Sequence, residues 1–163
     1  MTNQKTNKFL TIAITLPIIC SFILCCGTLG GIGGEKIFPT SKRKLQIAMD
    51  SLFIKNPQYK IPKKWESANN WSKRGYDFLE NEILYFKSPP EEMYYVSYIG
   101  DSTMLADTTK TIIKIRAIYK GNYNGKWLMA KDLNSDEKQR IENRFDNEII
   151  SKLEDYTKTK ILK

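Results

Sequence analysis

The stretch TIIKIRAIY at residues 111–119 decides the fold that this sequence predicts. Apolar side chains at positions 113, 115, 117 and 119 alternate with Lys114 and Arg116, and a period of two is typical of a half-buried β-strand. Residues 76–86, 93–99 and 126–130 are also rich in aromatic and β-branched side chains. Short turn-forming connections separate these stretches, so neighbouring strands should pair in antiparallel fashion. The sequence therefore predicts a four-stranded antiparallel meander.

A helix is predicted on each side of this meander. Ser41 can cap a helix that begins at Lys42 and carries apolar residues at positions 45, 48, 49, 52 and 53. Pro57 should end it, because the residue before a proline is biased away from helical geometry. A long C-terminal helix should be capped by Asn134 or Ser135, and its apolar residues at 141, 145, 149, 153 and 156 can cover the sheet. The predicted fold class is α+β.

An uncharged segment precedes the predicted domain. Residues 9–34 contain no Asp, Glu, Lys or Arg, and their most apolar part, residues 9–26, would form a helix about 27 Å long at ~1.5 Å per residue. We therefore predict a basic tail at residues 1–8, a transmembrane signal-anchor with a glycine-rich end at 9–34, and a single α+β domain at 35–163. The predicted location is the bacterial cytoplasmic membrane, crossed once. We favour an extracytoplasmic domain, although the Lys and Arg residues flanking the segment slightly favour a cytoplasmic one.

The cysteines leave two further possibilities for this segment. All three cysteines of the chain lie in it, at positions 20, 25 and 26. The sequence Ile-Leu-Cys-Cys at 23–26 resembles the acylation site of a lipoprotein precursor, in which Cys26 would carry the lipid and the glycines after it would form a tether. The position before the modified cysteine usually holds a small residue, and here it is Cys25. A processed lipoprotein, or a cleaved signal peptide with a free product, remains an alternative to a retained anchor.

The residue types present restrict the chemistry. The chain has no histidine, which excludes Ser-His-Asp and Cys-His catalysis and histidine-ligated zinc. The predicted domain also lacks cysteine and any phosphate-binding Gly-x-x-x-x-Gly-Lys-Ser/Thr loop. Carboxylates are the remaining candidates, and turns, solvated strand faces or an ion pair of Lys87 with Glu91 or Glu92 account for them. The six that we considered are Glu80, Glu82, Glu91, Glu92, Asp101 and Asp107. We predict a protein that is not an enzyme, with no cofactor and no metal.

Aromatic residues supply the candidate interaction surface. Trp65, Trp71, Tyr94, Tyr95 and Tyr98 could present large anchors to a protein partner. The simpler interpretation is that they fill and cover a small sheet–helix core. The two tryptophans also lie among lysines, a combination that suits anionic lipid headgroups at a membrane boundary. The net charge of +8 is too small to indicate nucleic acid by itself.

These observations predict a membrane-tethered, non-catalytic interaction domain. An accessory or assembly component of a cell-envelope complex is the role we favour. The alternative is an anchored domain that binds a small apolar or lipid ligand, or a processed envelope lipoprotein. An exposed aromatic sheet face would favour a protein partner, whereas an enclosed apolar pocket would favour a ligand.

Overall fold

The computed structural model describes residues 30–71, 80–121 and 125–162. The strands are β1 (Ile32–Phe38), β2 (Asn81–Phe86), β3 (Glu92–Ile99), β4 (Thr111–Lys120) and β5 (Trp127–Met129). The helices are α1 (Lys42–Lys55), α2 (Ser102–Ala106), α3 (Ser135–Phe145) and α4 (Ser151–Thr157). Short 3₁₀ turns occur at Pro57–Tyr59, Lys63–Ala68 and Ala130–Asp132, and a π-helical turn, Asp146–Ile150, joins α3 to α4.

The strands form one antiparallel sheet, and the fold is α+β as predicted. The sheet order is β1-β4-β3-β2, with β5 paired to β4. Strands β2 to β5 therefore make the predicted meander. The sheet has five strands rather than four, because β1 and β5 share one edge of β4. Phe38 of β1 lies opposite Thr111 near the start of β4, and Met129 of β5 lies opposite Ala117 near its end.

Strand β1 includes residues that the sequence analysis placed at the glycine-rich end of the transmembrane segment. Ile32 is 1% exposed and belongs to the main core. Gly33 adopts a positive φ of 70°, and a Cβ at this position would lie 2.7 Å from the side chain of Glu142. The same glutamate accepts hydrogen bonds from the Gly34 amide at 2.8 Å and from Lys36 Nζ at 2.9 Å. Helix α3 can approach the backbone closely because these positions are glycines and carry no Cβ. The same glycines interrupt the alternation of apolar and polar side chains, so the sequence does not show a strand here.

The helices cover one face of the sheet. Ser41 accepts a hydrogen bond from the Lys44 amide, and Asn134 accepts one from the Glu137 amide, so both predicted N-caps are confirmed. Helix α1 packs against α4, and α3 packs against β1. The buried side chains between the helices and the sheet include Phe38, Leu45, Leu52, Leu84, Ile113 and Phe145.

A π-helical turn adjusts the C-terminal helix to its apolar pattern. Ile141, Phe145, Ile149 and Leu153 are all fully buried, although a spacing of four residues exceeds the ~3.6 residues of an α-helical turn. A regular helix would rotate this series away from the sheet. The wider π turn at Asp146–Ile150 takes up part of that rotation, so the four side chains stay on one side.

An aromatic layer covers the opposite face of the sheet. The connection between α1 and β2 crosses this face, and the Trp71 ring stacks at 4.2 Å from Tyr95 and 5.1 Å from Trp127. Trp127 Nε1 donates a 2.9 Å hydrogen bond to the Ala68 carbonyl. Both faces of β3 are therefore covered by other parts of the chain.

Two predicted boundaries differ from the structure. The stretch at 101–109, predicted as a loop, contains helix α2, which Asp101 caps by accepting a 2.8 Å hydrogen bond from the Met104 amide. Strand β2 begins at Asn81, and the predicted start of this strand at 76–79 lies outside the described residues.

The anchor prediction also falls largely outside the described residues. Positions 1–29, which hold the basic tail, most of the apolar segment and Cys26, are not among them. Within 30–71, 80–121 and 125–162, no helix combines the length and the apolar character needed to cross a bilayer.

Candidate functional site at the edge of the sheet

Four of the five predicted surface aromatics lie inside the protein. Tyr94 is 0% exposed, Tyr95 1%, Tyr98 5% and Trp71 6%. Tyr94 and Tyr98 point towards the helices, whereas Tyr95 and Trp71 belong to the aromatic layer. Because both faces of β3 are covered, these side chains do not form the exposed surface that the sequence suggested.

Trp65 is the one member of that set that remains half-buried. Its ring makes edge-to-face contacts with Tyr85 at 5.5 Å and with Tyr119 at 5.2 Å. The neighbouring Lys64 pairs with Glu91 at 2.5 Å. These contacts hold the connection between α1 and β2 on the sheet, so the tryptophans act as packing residues in the folded domain.

No further strand pairs with the outer edge of β2 in the part of the chain that the structure describes, where Ile83 and Tyr85 are 8% and 7% exposed. β3 pairs with one side of β2, and no described strand pairs with the other. The Tyr98 amide donates to the Glu80 carbonyl at 3.0 Å, and antiparallel alternation then directs the main-chain groups of Ile83 and Tyr85 outwards. No main-chain hydrogen bond joins Ile83 or Tyr85 to the described residues beyond that edge.

A cleft of about 390 Å³ runs along this edge. Helix α1 contributes Phe53 to its wall, and the connection after α1 contributes Lys60 and Ile61. Strand β2 contributes Asn81, Glu82 and Ile83. The cleft thus combines apolar side chains, two charged groups and the outward-facing main chain of an edge strand.

Glu82 is an unusual carboxylate at this position. Burial, and to a smaller degree the Asp50 carboxylate on α1, raises the pKa of Glu82 to about 7. The described residues give Glu82 neither a hydrogen-bond donor nor an ion-pair partner. Glu80 differs, because Lys42 Nζ binds its carboxylate at 2.7 Å and Gln46 Nε2 at 3.1 Å.

The hydroxyl of Tyr98 lies beside these carboxylates. Tyr98 is 5% exposed, and its Oη has no hydrogen-bond partner in the described residues. Burial raises the pKa of this hydroxyl, and the negative charges of Glu82, Glu80 and Asp50 add to the effect. The Glu82 carboxylate therefore lines the cleft with its bonding capacity unused, whereas the Tyr98 hydroxyl is buried and is not part of the lining.

This arrangement is suited to binding a group that donates hydrogen bonds. Across the described ranges, no group of three His, Cys, Asp or Glu side chains could hold a metal ion. Asp101 and Asp107, the other carboxylates that the sequence singled out, act locally: Asp101 caps α2, and Asp107 accepts a 2.7 Å hydrogen bond from the Thr109 amide. The structure does not bring them to the cleft lining.

The sequence analysis interpreted Glu82 as part of a solvated strand face. A period of two places Glu82 on the same side of β2 as Leu84 and Phe86, which are 0% and 1% exposed. This alternation in the sequence could have indicated that the Glu82 carboxylate faces the same side as two core residues. The effect of Asp50 on the pKa of Glu82 could not be predicted from the sequence, because it depends on how α1 packs on the sheet.

The comparisons with known proteins do not add a relationship to this geometry. No protein-family model, no curated protein and no solved structure matches the chain.

Proposed function

We propose that this protein is a membrane-tethered, non-catalytic interaction domain that binds an extended segment of a protein partner at the edge of β2. The observation that carries the proposal is an edge of β2 that no described strand pairs with, beside a cleft of about 390 Å³. Addition of a strand to an exposed sheet edge is a recurring mode of peptide recognition, in which main-chain hydrogen bonds supply affinity and side-chain pockets supply specificity.

The composition of β2 supports this use. Edge strands are commonly protected from unwanted pairing by proline, lysine or a β-bulge. The sequence of β2, NEILYF, contains neither proline nor lysine, and its pairing with β3 has no register shift. Glu82 is the one charged side chain of the strand, and it lines the cleft. The main chain of β2 is thus suited to pairing, and the adjacent cleft gives the incoming strand a place for its side chains.

The tether is proposed from the sequence and from the position of β1. The apolar stretch at 9–26 is long enough to span a bilayer, and β1 begins at Ile32. The intervening residues, 27–31, reach at most about 17 Å when extended at ~3.4 Å per residue. The domain would then lie against the cytoplasmic membrane, on its outer side, where an accessory or assembly role in an envelope complex brings partners within reach.

The cleft lining gives less support to the alternative of a small apolar or lipid ligand. Hydrocarbon in this cleft would cover Glu82 and Lys60 without offering them hydrogen bonds. Burying polar groups without partners costs about 1–3 kcal/mol each on the scale of protein mutations. A peptide main chain can satisfy such groups, so edge pairing makes better use of the same space.

Site-specific photo-crosslinking in cells tests the proposal. A photoreactive amino acid at Lys60, in the cleft, should give a defined adduct with a membrane or envelope protein. The same group at the exposed Lys131 serves as the control position and should give no such adduct. Ile83→Pro removes an outward-facing amide, a change that an edge strand tolerates, and should abolish the Lys60 adduct. An adduct that survives Ile83→Pro in folded protein would exclude strand addition at β2.

A further inference from the structure

One charged group in the cleft lacks a partner in the described residues. The Glu82 carboxylate lines the cleft and receives no donor from the residues described. Buried polar groups in folded proteins are nearly always hydrogen-bonded. A ligand that donates hydrogen bonds in the cleft would satisfy this carboxylate.

The charges around this point have one dominant sign. Asp50 of α1 raises the pKa of Glu82, and the charges of Asp50, Glu80 and Glu82 all raise the pKa of Tyr98. The nearby Lys42 is already bound to Glu80 at 2.7 Å, and Lys60 stands exposed on the opposite wall of the cleft. An anionic ligand would meet these carboxylates at close range, whereas a cationic donor would gain from each of them.

We infer that the partner segment carries a lysine or arginine side chain that binds Glu82 while its main chain pairs with β2. This inference rests on the proposed function and specifies the chemistry of the partner. The cation comes from a side chain because the described residues offer no three-ligand metal site. Side chains alternate along a strand, so a recognisable partner segment is extended and has basic residues at every second position.

Binding of synthetic peptides to the full-length chain in a mild detergent tests this inference. The probe is a fluorescent peptide of about six residues, the usual length of a strand, in which valine alternates with lysine. Two matched peptides carry norleucine or glutamate in place of lysine. Fluorescence anisotropy at about pH 8 should show roughly tenfold tighter binding of the lysine peptide than of the norleucine peptide, a typical size for a charge-assisted hydrogen bond.

Variants of the protein distinguish strand addition at β2 from recognition of a basic side chain by Glu82. Glu82→Gln should remove the preference for lysine, whereas Asp155→Asn, which neutralises an exposed carboxylate on α4, should retain it. If the lysine and norleucine peptides bind equally well, and Ile83→Pro abolishes the binding of both, the inference that the partner is basic is wrong. Strand addition at β2 would still be supported. A lysine preference that depends on Glu82 but persists in Ile83→Pro would support the cation site and overturn strand addition. Absence of binding by all three peptides would overturn both.

Discussion

Glu92 and Arg140 form a bidentate ion pair between β3 and α3. Arg140 Nη1 and Nη2 donate to the two carboxylate oxygens at 3.0 Å and 2.6 Å, although the Glu92 side chain is 0% exposed. The Tyr94 hydroxyl donates to the same carboxylate at 3.1 Å, and Arg144 Nη1 lies 3.7 Å from it. Because several donors satisfy this buried charge, it can be kept in the interior and fixes α3 over the sheet.

Removal of Arg140 is therefore expected to be costly. Arg140→Leu should lower the free energy of unfolding by ~3 kcal/mol, the lower end for breaking a buried pair, because Arg144 and Tyr94 still contact Glu92. The double variant Glu92→Leu/Arg140→Leu should recover much of this loss, since no unpaired charge stays buried. Urea unfolding of a fragment starting at residue 30 measures both. A double variant no more stable than the single one would contradict this account of the cost.

Phe145 should contribute more to stability than any exposed apolar residue of similar chemistry. Its side chain is 0% exposed beneath the sheet, so Phe145→Ala should cost about 3–5 kcal/mol. Ile54→Ala is the matched control, because Ile54 is 76% exposed and its truncation should change stability by about 0.5 kcal/mol or less. Urea unfolding compares the two. A loss below about 1 kcal/mol for Phe145→Ala would mean that the C-terminal helix does not pack as described.

Local patterns in the sequence were sufficient for most of the fold. Alternation identified β4, aromatic and β-branched composition identified β2, β3 and β5, and the caps at Ser41 and Asn134 located two helices. Strand β1 was missed because its glycines interrupt the alternation of apolar and polar side chains. These glycines make room for the Glu142 side chain, a contact that only the folded structure shows. Helix α2 was missed because a helix of five residues has no measurable period, although Asp101 was available as a cap.

The candidate site was less predictable than the fold. Aromatic residues at 94, 95 and 98 suggested a surface, but tertiary packing buries both faces of β3. The cleft depends on which strand lies at the edge of the sheet, and that order follows from the addition of β1 to the far side of β4. Local sequence does not specify such long-range pairing, so only the structure showed that β2 is the last of the described strands on its side of the sheet.

Glu82 should make the stability of the domain dependent on pH. Its pKa is about 7 in the folded protein against an ordinary 4.5, so the folded state retains a proton that the unfolded chain releases. The stabilising contribution is complete below about pH 4.5 and is lost as the pH rises to about 7. Among the described residues, the titratable groups near Glu82 include Asp50, Tyr98 and, in the lining of the same cleft, Lys60, and Glu80 lies two positions before it.

The variant Glu82→Gln isolates this effect because glutamine does not titrate. At about pH 8 the variant should be more stable than the parent by about 1–3 kcal/mol, given ~1.4 kcal/mol per pKa unit and partial solvent screening. At about pH 4 the two proteins should be equally stable. Urea unfolding across this pH range provides the measurement. A difference that does not change with pH would show that Glu82 titrates normally.

The start of β1 should mark the start of the folded domain. A fragment beginning at residue 36 lacks Ile32, which is 1% exposed, and the Gly34 amide that donates to Glu142 at 2.8 Å. Compared with a fragment beginning at residue 30, it should lose about 3 kcal/mol or more, in line with deletion of a buried isoleucine. Paired urea titrations test this. Equal stability of the two fragments would show that the first half of β1 is dispensable.

The apolar segment at 9–26 should retain the full chain in the membrane without processing. A span of about 27 Å at ~1.5 Å per residue should resist carbonate extraction, whereas a fragment beginning at residue 30 should stay in the soluble fraction. Intact-mass measurement should give a chain that begins at or near Met1. Cys26→Ser distinguishes the lipoprotein alternative, because an anchor does not need the thiol and the variant should remain in the membrane. A mass that fits an acylated chain starting at Cys26, together with precursor accumulation in Cys26→Ser, would replace the anchor with a lipid and leave the cleft at β2 to be tested on its own.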